Sequence, residues 1–392
     1  MISVEEAKAL IAKHVSRNKG VLTGLADAAG CVLAKAVFAP VDLPLFNQSA
    51  MDGYALHEES LDKKNFRIAG ELKAGDETIQ LEKGEAARIY TGAAVPEKAG
   101  AVVMQEKTTV SNSLLELDEL AAAGNFIRYK GSQVKKGELA LCEGAMLTPA
   151  AIGFLASMGI AEVLIHPKPV VSVIVTGNEL LPPASVLSPG KIYESNSFTL
   201  RALLQQINIP VYKTLHVKDD PAVLRDVFMN YCNESDVIIF TGGISVGEYD
   251  FVKAVLEQSG VQTIFHNVAQ KPGKPLYFGM LDNKPVFALP GNPASTLVCF
   301  YEYVYMAIRL MQGFENPGLL VEKKKLLKSL KKSKGKAFFI HAKKMEEGIM
   351  PLGKQGSDML HTFASADALI FLDEACEFKT EGEEVEVHLL PN

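Results

Sequence analysis

The chain lacks the residue patterns of several common functional classes. It has only five cysteines, and none of them forms a CxxC pair: Cys31, Cys142, Cys232, Cys299 and Cys376. An odd number of scattered cysteines argues against a disulfide framework or a zinc site, and it predicts a reducing, cytoplasmic location. The eight histidines show no HxH or HExxH spacing, and no GxSxG elbow occurs. The usual histidine metal motifs and the commonest serine hydrolase motif are therefore excluded.

Long apolar runs and a surplus of positive charge are also missing. No stretch is long and apolar enough to span a bilayer, and residues 1–15 show the pattern of an amphipathic helix rather than a signal peptide. The net charge of −6 gives no general attraction to nucleic acid or to an anionic membrane. Residues 321–344 hold ten lysines and no arginine, but aromatic residues that could stack on bases are sparse there. We interpret that segment as the solvated face of a small β domain, and we expect neither nucleic acid nor a membrane as a partner.

The composition that remains is that of a globular protein with more than one core. The 392 residues are 48% hydrophobic and 22% charged, and a chain of this length usually divides into several domains. Ser3 and Glu6 form a capping-box pattern at the start of a first helix. Residues 41–147 contain short apolar pieces separated by Gly, Pro and Asp, which is typical of antiparallel β structure. Thr148 and Pro149 then suit the N-cap and first position of a helix that ends at Gly159.

Residues 170–312 alternate between strand and helix patterns. Strands are predicted at 170–175, 211–217, 237–240 and 286–289, and helices at 197–207, 221–231, 251–258 and 294–311. This rhythm predicts an open parallel sheet with helices on both faces. Such sheets bind ligands at the carboxyl ends of their strands, where the most informative turns of this chain lie.

Two short runs in this region predict an anion site. The turn after the third strand contains Gly242, Gly243 and Ser245, and its glycines let backbone N–H groups approach an anion closely. Lys271 and Lys274 each precede a proline, which restricts the backbone of both lysines and suits two ammonium groups directed at one compact oxyanion. Together with acidic turns, these runs indicate a metal-assisted enzyme that acts on phosphate or another oxyanion.

Four carboxylates stand at or near predicted strand ends: Glu179, Asp219, Asp220 and Asp250. Asp220 precedes Pro221 and suits a helix N-cap, as Asp250 could for the next helix, whereas no capping role is evident for Asp219. For each acid alone, capping or surface exposure is a sufficient explanation. Together at one edge of a sheet, they suit Mg²⁺, which usually takes one or two carboxylates plus substrate phosphate.

Three further turns carry weaker signals. Asn292 and Pro293 suit the N-cap and first position of a helix, which would leave free N–H groups and the Ser295 hydroxyl as an anion site. Asp52 and Thr91 each precede a glycine, and the residues alone favour a turn over catalysis at both places.

The order of these motifs resembles the MoeA family of molybdopterin molybdenumtransferases, whose eukaryotic relatives include the gephyrin E domain. Six segments carry the resemblance over nearly the full chain: 47–54, 91–96, 176–180, 241–250, 271–275 and 290–293. The resemblance implies a multidomain protein of α/β plus β class. It has an elongated domain at 1–46 and 129–166, an inserted β-rich domain at 47–128, a MogA-like molybdopterin-binding α/β domain at 167–317 and a C-terminal β-barrel domain at 318–392. It also implies a homodimer whose site is shared between subunits.

The resemblance implies a reaction as well. Adenylylated molybdopterin is hydrolysed, AMP leaves and molybdate is inserted, with Mg²⁺ required. The functional acid and hydroxyl positions become Asp52, Thr91, Glu179, Asp219 and Asp250, with Glu179 and Asp219 as the expected Mg²⁺ ligands. Substrate or molybdate contacts are expected at Gly242, Gly243, Ser245, Lys271, Lys274, Pro275, Ser295, Arg128, His341 and Ser357. A MogA-type adenylyltransferase and molybdoenzyme apoproteins are expected as partners, besides the pterin substrate.

Two positions depart from the family pattern. Gln133 stands where the family usually has aspartate, which removes a charge. His341 stands where the family usually has arginine, which replaces a permanent cation with a titratable one. His341 therefore has two open interpretations: an imidazole that faces the anion pocket, or a residue on a surface strand away from it.

Two other functions remain open at this point. One is a different enzyme, either an adenylyltransferase of the MogA type or an enzyme of pyridine-nucleotide recycling, although the β-rich domain and the segment 47–54 argue against both. The other is a non-catalytic scaffold, although no receptor-anchoring linker or fused partner domain is evident. ATP consumption without molybdate dependence would favour the adenylyltransferase, and partner binding without turnover would favour the scaffold.

Overall fold

The structure is a computed structural model that describes residues 1–244 and 251–391. It divides the chain into two compact units. One unit combines Met1–Val21 with His166–Asn392, and the other is Leu22–Ile165. The division into four domains implied by the resemblance is finer than this, and it stays a prediction.

The helices α1 and α2 begin at caps that the sequence predicts. The Ser3 hydroxyl accepts a hydrogen bond from the N–H of Glu6, and the Thr148 hydroxyl accepts one from the N–H of Ala151. The helices are α1 (Val4–His14), α2 (Pro149–Ser157), α3 (Asn196–Gln206), α4 (Pro221–Glu234), α5 (Val252–Gln258), α6 (Pro293–Cys299), α7 (Tyr305–Met311) and α8 (Leu360–Phe363). In the ranges 1–244 and 251–391, we find no helix with the length and apolarity that a membrane crossing needs.

The unit Leu22–Ile165 is built on a mostly antiparallel sheet, which confirms the β structure predicted for this region. Its strands are β1 (Gly53–His57), β2 (Asn65–Leu72), β3 (Glu85–Ile89), β4 (Ala99–Met104), β5 (Thr108–Ser111) and β6 (Leu114–Leu117). They lie in the order β4-β1-β3-β2-β6-β5, with β2 and β3 parallel. Ala55, Ala87 and Val102 on three neighbouring strands are fully buried in one cluster, so one face of the sheet forms a core.

Short strands complete the N-terminal part of the chain. Gln48–Ser49 pairs with Ile127–Arg128, and Val37–Phe38 pairs with Leu139–Leu141. Val21–Gly24, Glu162–His166 and Val32–Leu33 form a three-stranded sheet.

The unit that holds the C-terminal half contains the predicted α/β sheet. Its strands are β7 (Val171–Thr176), β8 (Val211–Val217), β9 (Val237–Thr241), β10 (Gln262–His266), β11 (Tyr277–Leu281) and β12 (Lys284–Leu289). The order is β8-β7-β9-β12-β11-β10. The four predicted strands are parallel, whereas β11 runs antiparallel to β12 and β10 antiparallel to β11, so the sheet is mixed rather than wholly parallel.

Both faces of this sheet are buried, as the continuous apolar strands predict. Val173 and Ile239 lie in the core cluster that also contains residues of α1, α3 and α6. Ile174 and Phe240, which point to the opposite face, lie in the cluster that contains residues of α4 and α5. The turns at the carboxyl ends of β7, β9 and β12 therefore rise from a rigid, two-sided core.

The C-terminal residues form a further sheet in the same unit. Its longer strands are β13 (Leu320–Lys325), β14 (Ala337–Lys344), β15 (Ala368–Leu372) and β16 (Glu384–Leu389). Gln270–Lys271 pairs with β14 in parallel, and Ile349–Pro351 pairs with it antiparallel. Two further short pairs are Leu180–Leu181 with Ile192–Tyr193 and Leu330–Lys331 with Phe378–Lys379.

Candidate functional site

A cleft of about 620 Å³ lies at the carboxyl ends of the parallel strands β7, β9 and β12. This is where an open α/β sheet binds ligands. Of the residues predicted to act in catalysis or binding, five line the cleft: Glu179, Asp219, Gly242, Gly243 and Pro275. The structure therefore brings together the acidic turn, the glycine turn and the last proline of the lysine loop.

The Asp219 carboxylate is held by the turn that follows β7. Its Oδ1 accepts a hydrogen bond from the Thr176 hydroxyl, and its Oδ2 accepts one from the Asn178 N–H at 2.9 Å. The Asn178 side-chain oxygen accepts a bond from the Asp219 N–H at 3.2 Å in return. Asp219 is not a helix cap, as expected, but it does have a structural role, because its carboxylate ties the turn after β7 to the end of β8. Asp220 is the N-cap of α4, as predicted.

Glu179 and Asp219, the predicted Mg²⁺ ligands, are two of the four acidic residues that line this cleft, beside Glu194 and Asp358. Among the described residues, no group of three or more His, Cys, Asp or Glu side chains could hold a metal ion by itself. Glu179 is exposed and Asp219 is half-buried, and each Asp219 oxygen that accepts one hydrogen bond keeps a further lone pair. Two carboxylates fit an ion that takes its other ligands from substrate phosphate and water, which is the usual behaviour of Mg²⁺.

The glycine turn after β9 lies against the turn after β7. Gly242 has φ of +93°, and a Cβ atom there would lie 2.2 Å from the Thr176 carbonyl oxygen. Only glycine fits this close approach in the left-handed region. Gly242 and Gly243 line the cleft, but the N–H of Gly242 already donates to the Leu289 carbonyl oxygen at 3.3 Å. Two predicted site residues of this run, Ser245 and Asp250, lie outside the described residues.

The N-terminus of α6 is occupied by the chain itself. The N–H groups of Ala294 and Ser295 donate to the Ser357 carbonyl oxygen at 3.0 and 3.3 Å. Asn292 makes no side-chain cap, and its Nδ2 donates to the Ser357 hydroxyl at 3.0 Å. The expectation of free N–H groups for an anion is therefore wrong here, because Ser357 satisfies them. Ser295 is buried and does not line the cleft.

The two lysines of the predicted anion clamp lie beside the cleft rather than in its lining. Lys271 is exposed, and its Nζ lies 5.3 Å from the centre of the Phe338 ring. Lys274 is half-buried. Pro275, the next residue, lines the cleft, so the lysine loop leads directly into it.

His341 lies in the interior of the protein. It is 1% exposed, and its ring lies 4.4 Å from that of Phe363. Neither ring nitrogen has a hydrogen-bond partner among the described residues, and burial lowers the pKa of His341 to about 4. The interpretation of an exposed strand residue is therefore wrong. The contact with molybdate stays a prediction, but an imidazole in this place is neutral at physiological pH and supplies no positive charge.

Three family models match successive parts of the chain. They are described as "MoeA N-terminal region (domain I and II)" for residues 2–159, "Probable molybdopterin binding domain" for 172–310 and "MoeA C-terminal region (domain IV)" for 323–390. A molybdopterin molybdenumtransferase of Haemophilus influenzae is 36% identical over 93% of this chain and 94% of its own length. The chain belongs to the MoeA family.

Other relatives of the MoeA family match over the full length. Molybdopterin molybdenumtransferase 2 of Mycobacterium tuberculosis is 33% identical over 99% of both chains. The crystal structure of a molybdopterin biosynthesis MoeA protein from Pyrococcus horikoshii OT3 matches with a TM-score of 0.84 and 27% identity over the whole of both chains. The multidomain α/β plus β fold expected for the family is therefore confirmed.

The unit Leu22–Ile165 of this MoeA family member holds a second group of predicted residues. Asp52 Oδ1 accepts hydrogen bonds from the Thr91 N–H at 2.8 Å and from the Thr91 hydroxyl at 2.7 Å. Both bonds lower the pKa of Asp52, and the bond from the Thr91 hydroxyl has the larger effect. Asp52 is therefore an ionised carboxylate on an exposed surface. Arg128 and Gln133 are exposed in the same unit, and nothing in the structure explains the replacement at Gln133.

Asn196 and Asp358 are among the cleft residues of this MoeA fold that the sequence does not predict. Asn196 is buried at the start of α3, and its Nδ2 donates to the Thr241 hydroxyl at 2.9 Å and to the Gly291 carbonyl at 2.8 Å. It therefore joins the turns after β9 and β12. Asp358 lines the cleft from the segment after Ser357. The sequence could have indicated Asn196, because it is a polar residue at the start of a predicted helix. No local pattern around Asp358 indicates a functional residue.

Proposed function

We propose that this chain is a molybdopterin molybdenumtransferase, which inserts molybdate into adenylylated molybdopterin and releases AMP. The observation that carries the proposal is the cleft at the ends of β7, β9 and β12, lined by Glu179, Asp219 and the glycine turn. It occurs in a chain that full-length relatives of that name match. A cleft of this size suits a pterin with an attached phosphate, since ligand pockets usually enclose about 300–1,000 Å³.

The turns around the cleft have separate roles in this proposal. The glycine turn at Gly242 and Gly243 lets the phosphate approach the backbone closely, although the Gly242 N–H already donates to the Leu289 carbonyl oxygen. Asp219, fixed by Thr176 and Asn178, and the exposed Glu179 hold Mg²⁺ against the substrate. When bound, the ion neutralises charge on the phosphoanhydride that is split.

The lysine loop supplies the positive charge for molybdate. Among the described residues, no carboxylate forms a salt bridge with Lys271 or Lys274. Their ammonium groups are therefore available for a small dianion next to Pro275 and the cleft. Charge stabilisation of this kind is strongest where the donors are held in place before the reaction.

The experiment that tests this function measures AMP release from adenylylated molybdopterin with Mg²⁺, in the presence and absence of molybdate. We expect release to depend on molybdate, and the Lys271→Ala/Lys274→Ala variant to keep its melting temperature and lose molybdate binding. AMP release that does not depend on molybdate, or a large drop in the melting temperature of the variant with molybdate binding retained, would contradict the proposal. Formation of adenylylated molybdopterin from ATP would instead support an adenylyltransferase.

We further propose a homodimer in which Asp52 and Thr91 of one subunit complete the cleft of the other. Asp52 is exposed and ionised, and two hydrogen bonds from Thr91 hold its carboxylate in place. Among the described residues, this carboxylate forms no salt bridge with a cation. Mixing Asp52→Ala subunits with Glu179→Ala subunits should then restore one intact site per heterodimer. If verified heterodimers show no recovered AMP release, the shared site is refuted.

A further inference from the structure

A buried polar network lies directly beneath the loop that carries Lys271 and Lys274. Gln270 stands at the start of this loop and is 1% exposed. Its Nε2 donates to the carbonyl oxygens of Pro272 at 3.0 Å and of Gly273 at 3.3 Å. Because carbonyl oxygens only accept hydrogen bonds, the amide must present its NH₂ group to the loop and its Oε1 to the other side.

Tyr303 fixes the other end of the Gln270 amide. The Tyr303 hydroxyl donates to Gln270 Oε1 in a short contact, and the ring is fully buried. Burial raises the pKa of Tyr303 well above its ordinary value, so the hydroxyl remains a donor. Tyr303 lies in a π-helical segment, Phe300–Val304, between α6 and α7. Single-turn π segments within α-helices are frequent at functional sites, because they displace side chains from the regular helical positions.

The loop backbone rests on this network at Gly273. The Cys299 thiol donates to the Gly273 carbonyl oxygen at 3.6 Å. Gly273 has φ of +88°, and a Cβ atom there would lie 2.6 Å from Cys299 Sγ and 2.8 Å from Gln270 Nε2. The backbone between the two lysines is therefore in contact with the buried groups, with no room for a side chain between them.

A core position does not require an amide. An apolar side chain of similar size would fill the same space without the cost of burying polar atoms, which must all find partners. Here the Gln270 NH₂ group donates to two carbonyls of one loop and to the Cys299 sulfur, and its oxygen accepts from a single buried hydroxyl. The amide therefore fixes the path of the loop in a way that apolar packing alone would not.

We propose that Gln270 is a positioning residue which, oriented by Tyr303, fixes the backbone between Lys271 and Lys274 so that both ammonium groups are pre-organised for one oxyanion. The inference rests on the proposed function of the lysines as the molybdate site. A ligand that meets pre-organised groups loses less binding free energy to ordering them. The network should therefore affect the affinity for molybdate more than the rate at which the molybdate-bound enzyme releases AMP.

The test compares Gln270→Met and Tyr303→Phe with Tyr277→Phe in the full-length protein. Tyr277 is also fully buried, and its hydroxyl forms a side-chain hydrogen bond with Thr263 at 3.0 Å, but it lies in the core cluster on the other face of the sheet. All three variants remove a hydrogen bond of a buried side chain, and only Gln270 and Tyr303 contact the loop or its network. The readouts are the KM for molybdate and the kcat of AMP release, with hydrogen exchange at the loop amides.

We expect the KM for molybdate to rise about tenfold in Gln270→Met and about threefold to fivefold in Tyr303→Phe, since one buried hydrogen bond is worth up to about tenfold in an equilibrium. The kcat should stay within about twofold of wild type, as expected when only binding is altered. Amide exchange at Gly273 and Lys274 should accelerate in both variants. Tyr277→Phe should keep the wild-type KM and loop exchange.

Two results would overturn the inference. An unchanged KM in Tyr303→Phe, with a melting temperature lowered as in Tyr277→Phe, would mean that the network only packs the core. Should Gln270→Met fail to fold, Tyr303→Phe still decides, because it removes a single oxygen atom. If AMP release by the wild-type enzyme does not depend on molybdate, the proposed function is refuted, and the oxyanion role of the loop with it. Unchanged KM values in an enzyme that does depend on molybdate would refute only the role of Gln270 and Tyr303.

Discussion

The substitution Lys8→Met is expected to destabilise the protein far more than a surface lysine substitution would. Lys8 Nζ lies 2.6 Å from Glu302 Oε2, and the Glu302 side chain is 1% exposed. The other Glu302 oxygen lies 2.7 Å from His388 Nδ1, and His388 is 3% exposed. Burial disfavours the charge on Glu302, but Lys8 and His388 outweigh it, so that the net pKa of Glu302 is lowered. A single buried carboxylate thus joins α1, the π-helical segment and β16.

The expected loss follows from what remains after the substitution. Methionine keeps the apolar stem of the lysine but leaves Glu302 Oε2 buried without its ion pair. Removing one partner of a buried pair costs about 3–5 kcal/mol. The Lys8 side chain is 29% exposed, so water can partly replace the ammonium group, and we expect a loss near the lower end, about 3 kcal/mol. In Lys8→Met/Glu302→Gln, part of this loss should be recovered, because no uncompensated charge remains.

Urea denaturation at neutral pH measures the change in the free energy of unfolding, with an unchanged m-value as the check that only stability has altered. The matched control is Lys253→Met on α5. Lys253 lies 3.8 Å from Glu257, both side chains are more than one third exposed, and such pairs contribute about 0.3–0.5 kcal/mol. If the two variants differ by less than about 0.5 kcal/mol, the reasoning about the buried carboxylate is refuted.

Three further outcomes follow from the titratable groups. Burial lowers the pKa of His388, but Glu302 outweighs the burial and the net pKa is raised. The protonated His388 therefore stabilises the fold fully below about pH 6.5, and this stabilisation is lost as the pH rises through the raised pKa. The urea midpoint of wild type should fall over this pH range and that of His388→Gln should not; the same pH dependence in both proteins would show that His388 is uncharged. In Thr91→Val, loss of the hydroxyl donor should raise the pKa of Asp52, which carboxyl NMR titration measures; an unchanged value would mean that the hydroxyl bond is not made in solution. Because the pKa of His341 is about 4, His341→Phe should leave the pH dependence of molybdate binding unchanged between about pH 6 and 8 in calorimetry, and a different profile would show that the imidazole is charged there.

The α/β sheet was largely predictable because its signal is periodic and local. The strand at 211–217 is predicted with its observed bounds, and the parallel direction of β7, β8, β9 and β12 follows from the alternation with helices, whereas their order in the sheet is not predicted. The antiparallel edge, β10 and β11, was missed. Its signal was present in the two-residue turn between β11 and β12, where Asp282 has φ of +52°, since a short turn of Asp and Asn between apolar runs is a hairpin pattern.

The contacts of the candidate site were less predictable because they join residues that are distant in sequence. Asp219 stands at the end of β8, and its partners Thr176 and Asn178 follow β7, so its role depends on which strands are neighbours. The N-terminus of α6 resembles an anion site in the sequence, but the carbonyl that fills it belongs to Ser357 in the C-terminal part. A motif therefore predicts what a turn can bind, whereas only the tertiary structure shows whether the chain already occupies it.

His341 shows the same limit for a single charge. A histidine ordinarily has a pKa near 6.5. On β14, however, the imidazole of His341 is buried next to Phe363, and neither ring nitrogen has a partner in the described part of the chain. A buried group without a counter-charge is most stable in its neutral form, and histidine can adopt that form by losing a proton. An arginine cannot, so at this position it would need an anionic partner or a path to solvent. The interior around residue 341 therefore tolerates a histidine because the imidazole can be neutral there, whereas an arginine would carry its charge into the interior.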